Sequence, residues 1–278
     1  MGVSQRFQLK NFICERKIIV EIQNLFKFKP TKDLAVVLIN YTLIVAIFYL
    51  SFQIITIKNV AGQFITFGVV GILLLGILVP ALYNTLIMKR PLSVLGIKKE
   101  KLMLSIGLSL VFSVIQYFLT LGNLVLPDFN LFFPLACMAV TVGFFENIFF
   151  RGFAQLRFEE SFGVIPGIIL SAVIYCFYHI GYGMAGSEYL MLLIIGLIYS
   201  TIFRLTSNVF ILFPLLTPMG AIFTNIKDGL TIPFEAIIGF TMVIFLAVLG
   251  LVAIHNMYRK KQKKAAGDGG SQNRQSNI

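Results

Sequence analysis

The chain has 278 residues, of which 58% are hydrophobic and 13% charged, with a mean hydropathy of +0.88. A soluble domain carries about a quarter charged residues, so a single soluble globular unit is excluded. The net charge of +11 comes from basic residues that flank apolar blocks, where they orient helices and meet anionic lipid, and no nucleic-acid partner is expected.

Residues 1–33 form a basic N-terminal segment in which no cleavable leader is expected, because it lacks an apolar core with a small-residue cleavage site. Within it, 7–29 mix basic and apolar residues at nearly helical spacing. That pattern reads equally as an interfacial helix or as a solvated basic arm. The apolar blocks that follow have the length of about twenty residues needed to cross a bilayer as helix, and no alternating strand pattern competes. They predict an all-α polytopic membrane protein with about eight transmembrane helices, near 34–57, 64–88, 102–126, 131–156, 163–184, 189–205, 208–226 and 233–257. The seventh carries Pro214 and Pro218 and is expected to be kinked or broken.

Lys and Arg cluster in alternate connections: the N-terminal segment, the loop with Lys89, Arg90, Lys98, Lys99 and Lys101, then Arg157, Arg204 and the run 259–264. The intervening loops are nearly free of them, which places both termini in the cytoplasm. The organisation read from this is a variable pair of helices with the start of a loop (34–90), a membrane domain (91–226), a last transmembrane helix (227–258) and a basic tail (259–278). The tail is polar and glycine-rich, so disorder is expected there. Cys14, Cys137 and Cys176 are scattered and show no metal-binding or disulfide spacing.

Within the fourth span the run FFENIFFRGF (144–153) sets Glu146, Asn147 and Arg151 among apolar neighbours. Glu146 falls near mid-membrane and Arg151 about 7 Å further along at helical rise. A charge at that depth is costly and faces the bundle interior. Asn147 and Arg151 share a helix face, whereas Glu146 and Arg151 point apart, so Arg151 is expected to pair with another span or with lipid headgroups. The next span carries His179 at a comparable depth, where it can face Glu146. Such a pair can polarise a water molecule, the carboxylate as base and the imidazole orienting it. The same residues can also simply tie helices together, and the residues alone leave both readings open. One His, one Glu and one Asn are too few ligands to support a zinc site, and no cofactor is expected.

These residues resemble the CAAX-protease and bacteriocin-processing (CPBP, or Abi) family of intramembrane proteases. Its first motif, Glu-Glu-x-x-x-Arg followed by Gly, corresponds to Glu146, Asn147, Arg151 and Gly152; its second, Phe-x-x-x-His, to Tyr175 and His179. The resemblance covers roughly 90–226 and implies water activation by Glu146 and His179, with Asn147, Arg151 and Tyr175 in support. Two departures mark a divergent member. Asn147 stands for the second acid, and 213–226 hold no histidine for the third motif, His-x-x-x-Asn. One register puts Asn225 at the Asn position, as an oxyanion donor; another puts Thr217 or Pro218 where the histidine would be.

The resemblance implies a CPBP-type intramembrane endopeptidase, described in part of the family as a metalloprotease, acting on a peptide or membrane-protein segment. The alternative is a catalytically impaired relative that serves as a membrane scaffold or regulator for a cell-envelope enzyme or sensor kinase. A Lys/Ile/Phe-rich chain without tryptophan points to the cytoplasmic membrane of a low-GC bacterium, where prenylated substrates are not expected. The basic segments are expected to contact anionic lipid.

Overall fold

The computed structural model describes residues 25–55 and 59–275, with side chains as far as 263. Most of the interfacial segment expected at 7–29 therefore lies outside the described residues. The fold is all-helical, 82% helix and without a strand among the described residues, as the apolar blocks require. Among the described residues seven helices are long and apolar enough to cross a membrane. They are α1 (Asp33–Ile55), α2 (Val60–Ile87), α3 (Leu102–Asn123), α4 (Phe129–Phe162), α5 (Val164–Tyr182), α6 (Gly186–Thr206) and, after a short α7 (Leu216–Lys227), the span-length part of α8 (Ala236–Lys263). The backbone of α8 stays helical to Gln275, into the tail for which composition predicted disorder.

The seventh predicted span, 208–226, is not one helix. It is a 3₁₀ turn at Val209–Ile211, an irregular stretch, and then α7. Pro214 and Pro218 each remove a backbone donor, so an uninterrupted helix is not available to this segment. The segment still traverses the bundle. At one end the Val209 N–H donates to the Gly96 carbonyl at 3.0 Å; beyond the other, Ile232 lines an apolar cavity with Phe64 and Phe67 of α2.

Helix α8 runs parallel to α2, with Gly239 against Phe64, Gly250 against Leu78 and the Tyr258 hydroxyl 3.4 Å from the Lys89 carbonyl. The chain at Lys27 and Lys29 bonds to the carbonyls of Phe162 and Ser161. The first described residues and the basic stretch after Tyr258 thus lie at one end of the bundle, beside Arg90 and Arg157.

Helix α4 is the hub. Every residue from Thr141 to Gln155 is buried, so it is enclosed on all sides, as expected for a helix apolar all round. Lipid supplies no hydrophobic drive between helices; close packing and interhelical hydrogen bonds do that work. Phe145, Phe149, Phe150 and Phe153 fill the centre with Phe48 and Phe67. Gly152 carries one further contact: a Cβ there would lie 2.1 Å from the Leu95 carbonyl oxygen. Only glycine lets the 3₁₀ turn Leu92–Leu95 rest on α4.

Candidate active site

Helix α4 is α-helical to Glu146, widens into a π-helical stretch over Asn147–Gln155, and returns to α from Leu156. Comparable π-helical stretches lie in α1 and α2, at Leu50–Ile55, Phe64–Leu78 and Tyr83–Ile87, so the widening does not by itself mark a site. This one begins at the carboxylate singled out by sequence and contains the Asn and the Arg.

Glu146 is buried and accepts a hydrogen bond from the Tyr178 hydroxyl. The Tyr178 ring lies 4.1 Å from the His179 ring, centroid to centroid. His179 sits where α5 tightens into a 3₁₀ turn, His179–Tyr182, and its Nδ1 is 2.9 Å from the Tyr175 carbonyl. A carbonyl only accepts, so Nδ1 carries the proton, and Nε2 of the neutral ring is left with a free lone pair. Glu146 and His179 are not hydrogen-bonded to each other; Tyr178 touches both. Tyr175 and Tyr182 complete an aromatic wall, with ring centroids 5.2 and 5.7 Å from that of His179.

Arg151 does not pair with Glu146. Its Nη1 donates to Ser171 Oγ of α5 at 2.9 Å and to Ser200 Oγ of α6 at 2.6 Å. Its guanidinium carbon lies 4.9 Å from the Tyr175 ring centroid, a cation–π contact made in a desolvated setting. This bears on the expectation that Arg151 would reach another span: it reaches two. Ser171 in turn donates to the Phe150 carbonyl at 3.0 Å. One arginine therefore ties three helices together through neutral partners and leaves the Glu146 carboxylate free of an ion pair.

Asn147 donates from Nδ2 to the Gly143 carbonyl at 2.7 Å and to Thr217 Oγ1 at 2.8 Å. Gly143 permits this approach, since a Cβ there would lie 3.0 Å from Pro218 Cγ and 3.2 Å from Thr217 Oγ1. Of the two registers for the third motif, the one with Thr217 and Pro218 is the one that meets the first motif. Asn225 is not brought to the site. It lies eight residues beyond Thr217, about 12 Å at helical rise. The one hydrogen bond found for it outside regular helix pairing is through its carbonyl, which accepts from Leu230 N–H at 2.9 Å.

Tyr178, Ser171, Ser200 and Gln155 escaped the sequence reading. Gln155 Nε2 donates to the Ser200 carbonyl at 3.1 Å and to Glu159 at 3.0 Å, extending the polar seam between α4 and α6. A signal was present for Ser171, a lone hydroxyl in an apolar run opposite a helix that needed a partner for its arginine, and less so for Ser200, which stands between Tyr199 and Thr201. Tyr178 carried none, because an aromatic in such a run reads as core. Among the described residues no three His, Cys, Asp or Glu side chains come together as metal ligands would.

No curated protein and no solved structure matches the chain. Residues 128–225, which carry both motifs, Tyr178 and Thr217, match the family described as "Type II CAAX prenyl endopeptidase Rce1-like", so this part of the chain is similar to that family, and the seven apolar helices among the described residues make the chain a multi-pass membrane protein.

Proposed function

We propose that this chain is an intramembrane endopeptidase in which Glu146 activates a water molecule for peptide-bond hydrolysis. The observation that carries the reading is a buried carboxylate without an ion pair, joined through Tyr178 to a histidine whose Nε2 is free. Glu146 takes a proton from water as the water oxygen adds to the scissile carbonyl carbon, and His179 Nε2 orients that water by accepting its other hydrogen. Tyr178, the O–H donor nearest the base, turns its hydrogen bond to the carbonyl oxygen as negative charge develops there. Preorganised donors of this kind act most strongly in a water-poor site. When the C–N bond breaks, the proton held by Glu146 passes to the leaving nitrogen.

Arg151 and Asn147 hold α4 against α5, α6 and α7, and Tyr175 holds the His179 tautomer. Asn225 has no part in this arrangement. The reaction as drawn uses no metal. The substrate is a peptide or a membrane-protein segment that enters from the bilayer. The basic end of the bundle, which meets anionic lipid, lies on the cytoplasmic side of a bacterial membrane.

A second reading has its own support: Glu146 is engaged by Tyr178, and the segment 213–226 has no histidine. On that reading the polar core only holds the helices, and the chain is a scaffold for a cell-envelope protein. Glu146→Ala and His179→Ala separate the two. Each should abolish the peptides released from membranes by the wild-type chain, read by mass spectrometry at matched protein level. Retention of those peptides, or full complementation of a deletion by both variants, leaves the scaffold reading standing.

A further inference from the structure

Hydrolysis inside a bilayer requires a supply of water, and the structure holds a second polar region that the site does not use. On the helical stretch Leu102–Leu119 of α3, the buried residues are Ser105, Ser109 and Ser113, while Leu110, Val111, Val114 and Phe118 are exposed. A hydroxyl within a membrane helix usually bonds the carbonyl four residues back. Ser105 does so with Lys101 at 2.8 Å, as do Thr85, Thr120 and Thr141. Ser109 Oγ and Ser113 Oγ do not; both are buried without a hydrogen-bond partner in the protein. Leaving such a group unsatisfied costs about 1–3 kcal/mol, so a buried hydroxyl of this kind calls for a ligand.

Three further observations lead from the serines to the active site. Helix α3 packs against the broken segment 209–227, and irregular backbone at membrane depth occurs where it is buried in protein or lines water. One turn beyond Ser113, Gln116 and Tyr199 are joined only loosely, by contacts of 3.4 and 3.5 Å, and the Tyr199 hydroxyl is 3.4 Å from the Leu216 carbonyl. Leu216 precedes Thr217, which receives Asn147 Nδ2, and Asn147 Oδ1, in a residue only 1% exposed, also has no partner.

We propose that the seam between α3 and 209–227 is a water-binding path. It runs from the basic end of the bundle at Lys101, past Ser109, Ser113, Gln116 and Tyr199, to Asn147 beside Glu146. Buried waters are held where two to four polar partners converge, and these oxygens, amides and carbonyls supply them along the line. The role given to this water, as the nucleophile of Glu146, rests on the protease reading; the hydration of the seam does not.

The test is thiol accessibility in native membranes. In a background with Cys14, Cys137 and Cys176 replaced by alanine, Ser109→Cys and Ser113→Cys keep side-chain size, and Leu110→Cys reports the lipid-facing side of the same helix. The probe is 2-aminoethyl methanethiosulfonate, which reacts with the thiolate, a species that forms only where water reaches. The expected result is modification of the two seam positions on the order of ten-fold faster than Leu110→Cys. Modification as slow as at Leu110→Cys, in protein that purifies with wild-type thermal stability, overturns the proposal. Labelling does not depend on cleavage. A reactive seam in a chain whose Glu146→Ala variant releases peptides as before would keep the path and remove the protease. An unreactive seam in a chain that needs Glu146 would do the reverse.

Discussion

Two buried arginines on one helix are held in opposite ways. Arg157, fully buried at the basic end of α4, sits among carboxylates: Glu160 at 2.7 Å and Asp33 at 3.7 Å, with Arg90 beside both. Arg151, deep in the bundle, has two serine hydroxyls and a tyrosine ring and no carboxylate. The difference follows from what each must leave free. Near the membrane face, the Arg157 Nη1 meets both carboxylates while its buried Nε and Nη2 have no partner in the protein, and Glu160 keeps access to water. In the interior, an ion pair between Arg151 and Glu146 would occupy the carboxylate that the proposed mechanism uses as its base. Neutral partners hold the arginine without consuming it.

The largest effect should come from the carboxylate-held site. Arg157→Met leaves buried Asp33 with the part-exposed Arg90, at 3.6 Å, and Tyr83, whose hydroxyl donates to it at 2.7 Å. Breaking a buried pair from one side costs about 3–5 kcal/mol, and the partial compensation points to the lower figure, read as thermal unfolding in detergent.

Arg151→Met should cost less, about 1–3 kcal/mol, because it strands hydroxyls rather than a charge. If the partners are truly neutral, adding Ser171→Ala and Ser200→Ala to Arg151→Met should recover stability, since apolar replacement of both sides of a hydrogen bond is close to neutral. A further loss in the triple variant would show that the serines do more than receive the arginine. Arg157→Met should have no such rescue from hydroxyl removal.

Tyr178→Phe removes one hydrogen bond to Glu146 and should cost about 1 kcal/mol of stability. On the proposed mechanism it should also lower kcat by about 10²–10³-fold, with KM nearly unchanged. A kcat within a factor of a few of wild type would remove Tyr178 from the oxyanion role.

The smallest contrast lies in the third-motif region. Thr217→Val strands Asn147 Nδ2, which keeps its bond to the Gly143 carbonyl, and should cost about 1 kcal/mol. Asn225→Ala should stay within about 0.5 kcal/mol and leave cleavage unchanged. A larger effect at Asn225 would reinstate the register in which it serves the site.

Much of this was legible in the chain. Apolar blocks of membrane-spanning length determine an all-helical membrane protein, because in lipid every backbone polar group must be satisfied within its own segment. Proline positions determine where the seventh crossing breaks. Isolated ionisable residues in apolar runs mark Glu146, Arg151 and His179, because burying them has a cost that chance composition does not sustain. Helical spacing also tells that Arg151 turns away from Glu146.

Only the tertiary structure decides who answers them. Ser171, Ser200 and Thr217 come from other helices, 20, 49 and 70 positions from the residues they meet. Spacing along one helix carries no information on which neighbour fills a gap. Nothing in the run YCFYH distinguishes the tyrosine that bonds Glu146 from those that only pack. The direction of each hydroxyl is set by the angle at which helices cross, and that angle is chosen by packing between segments that the sequence lists far apart.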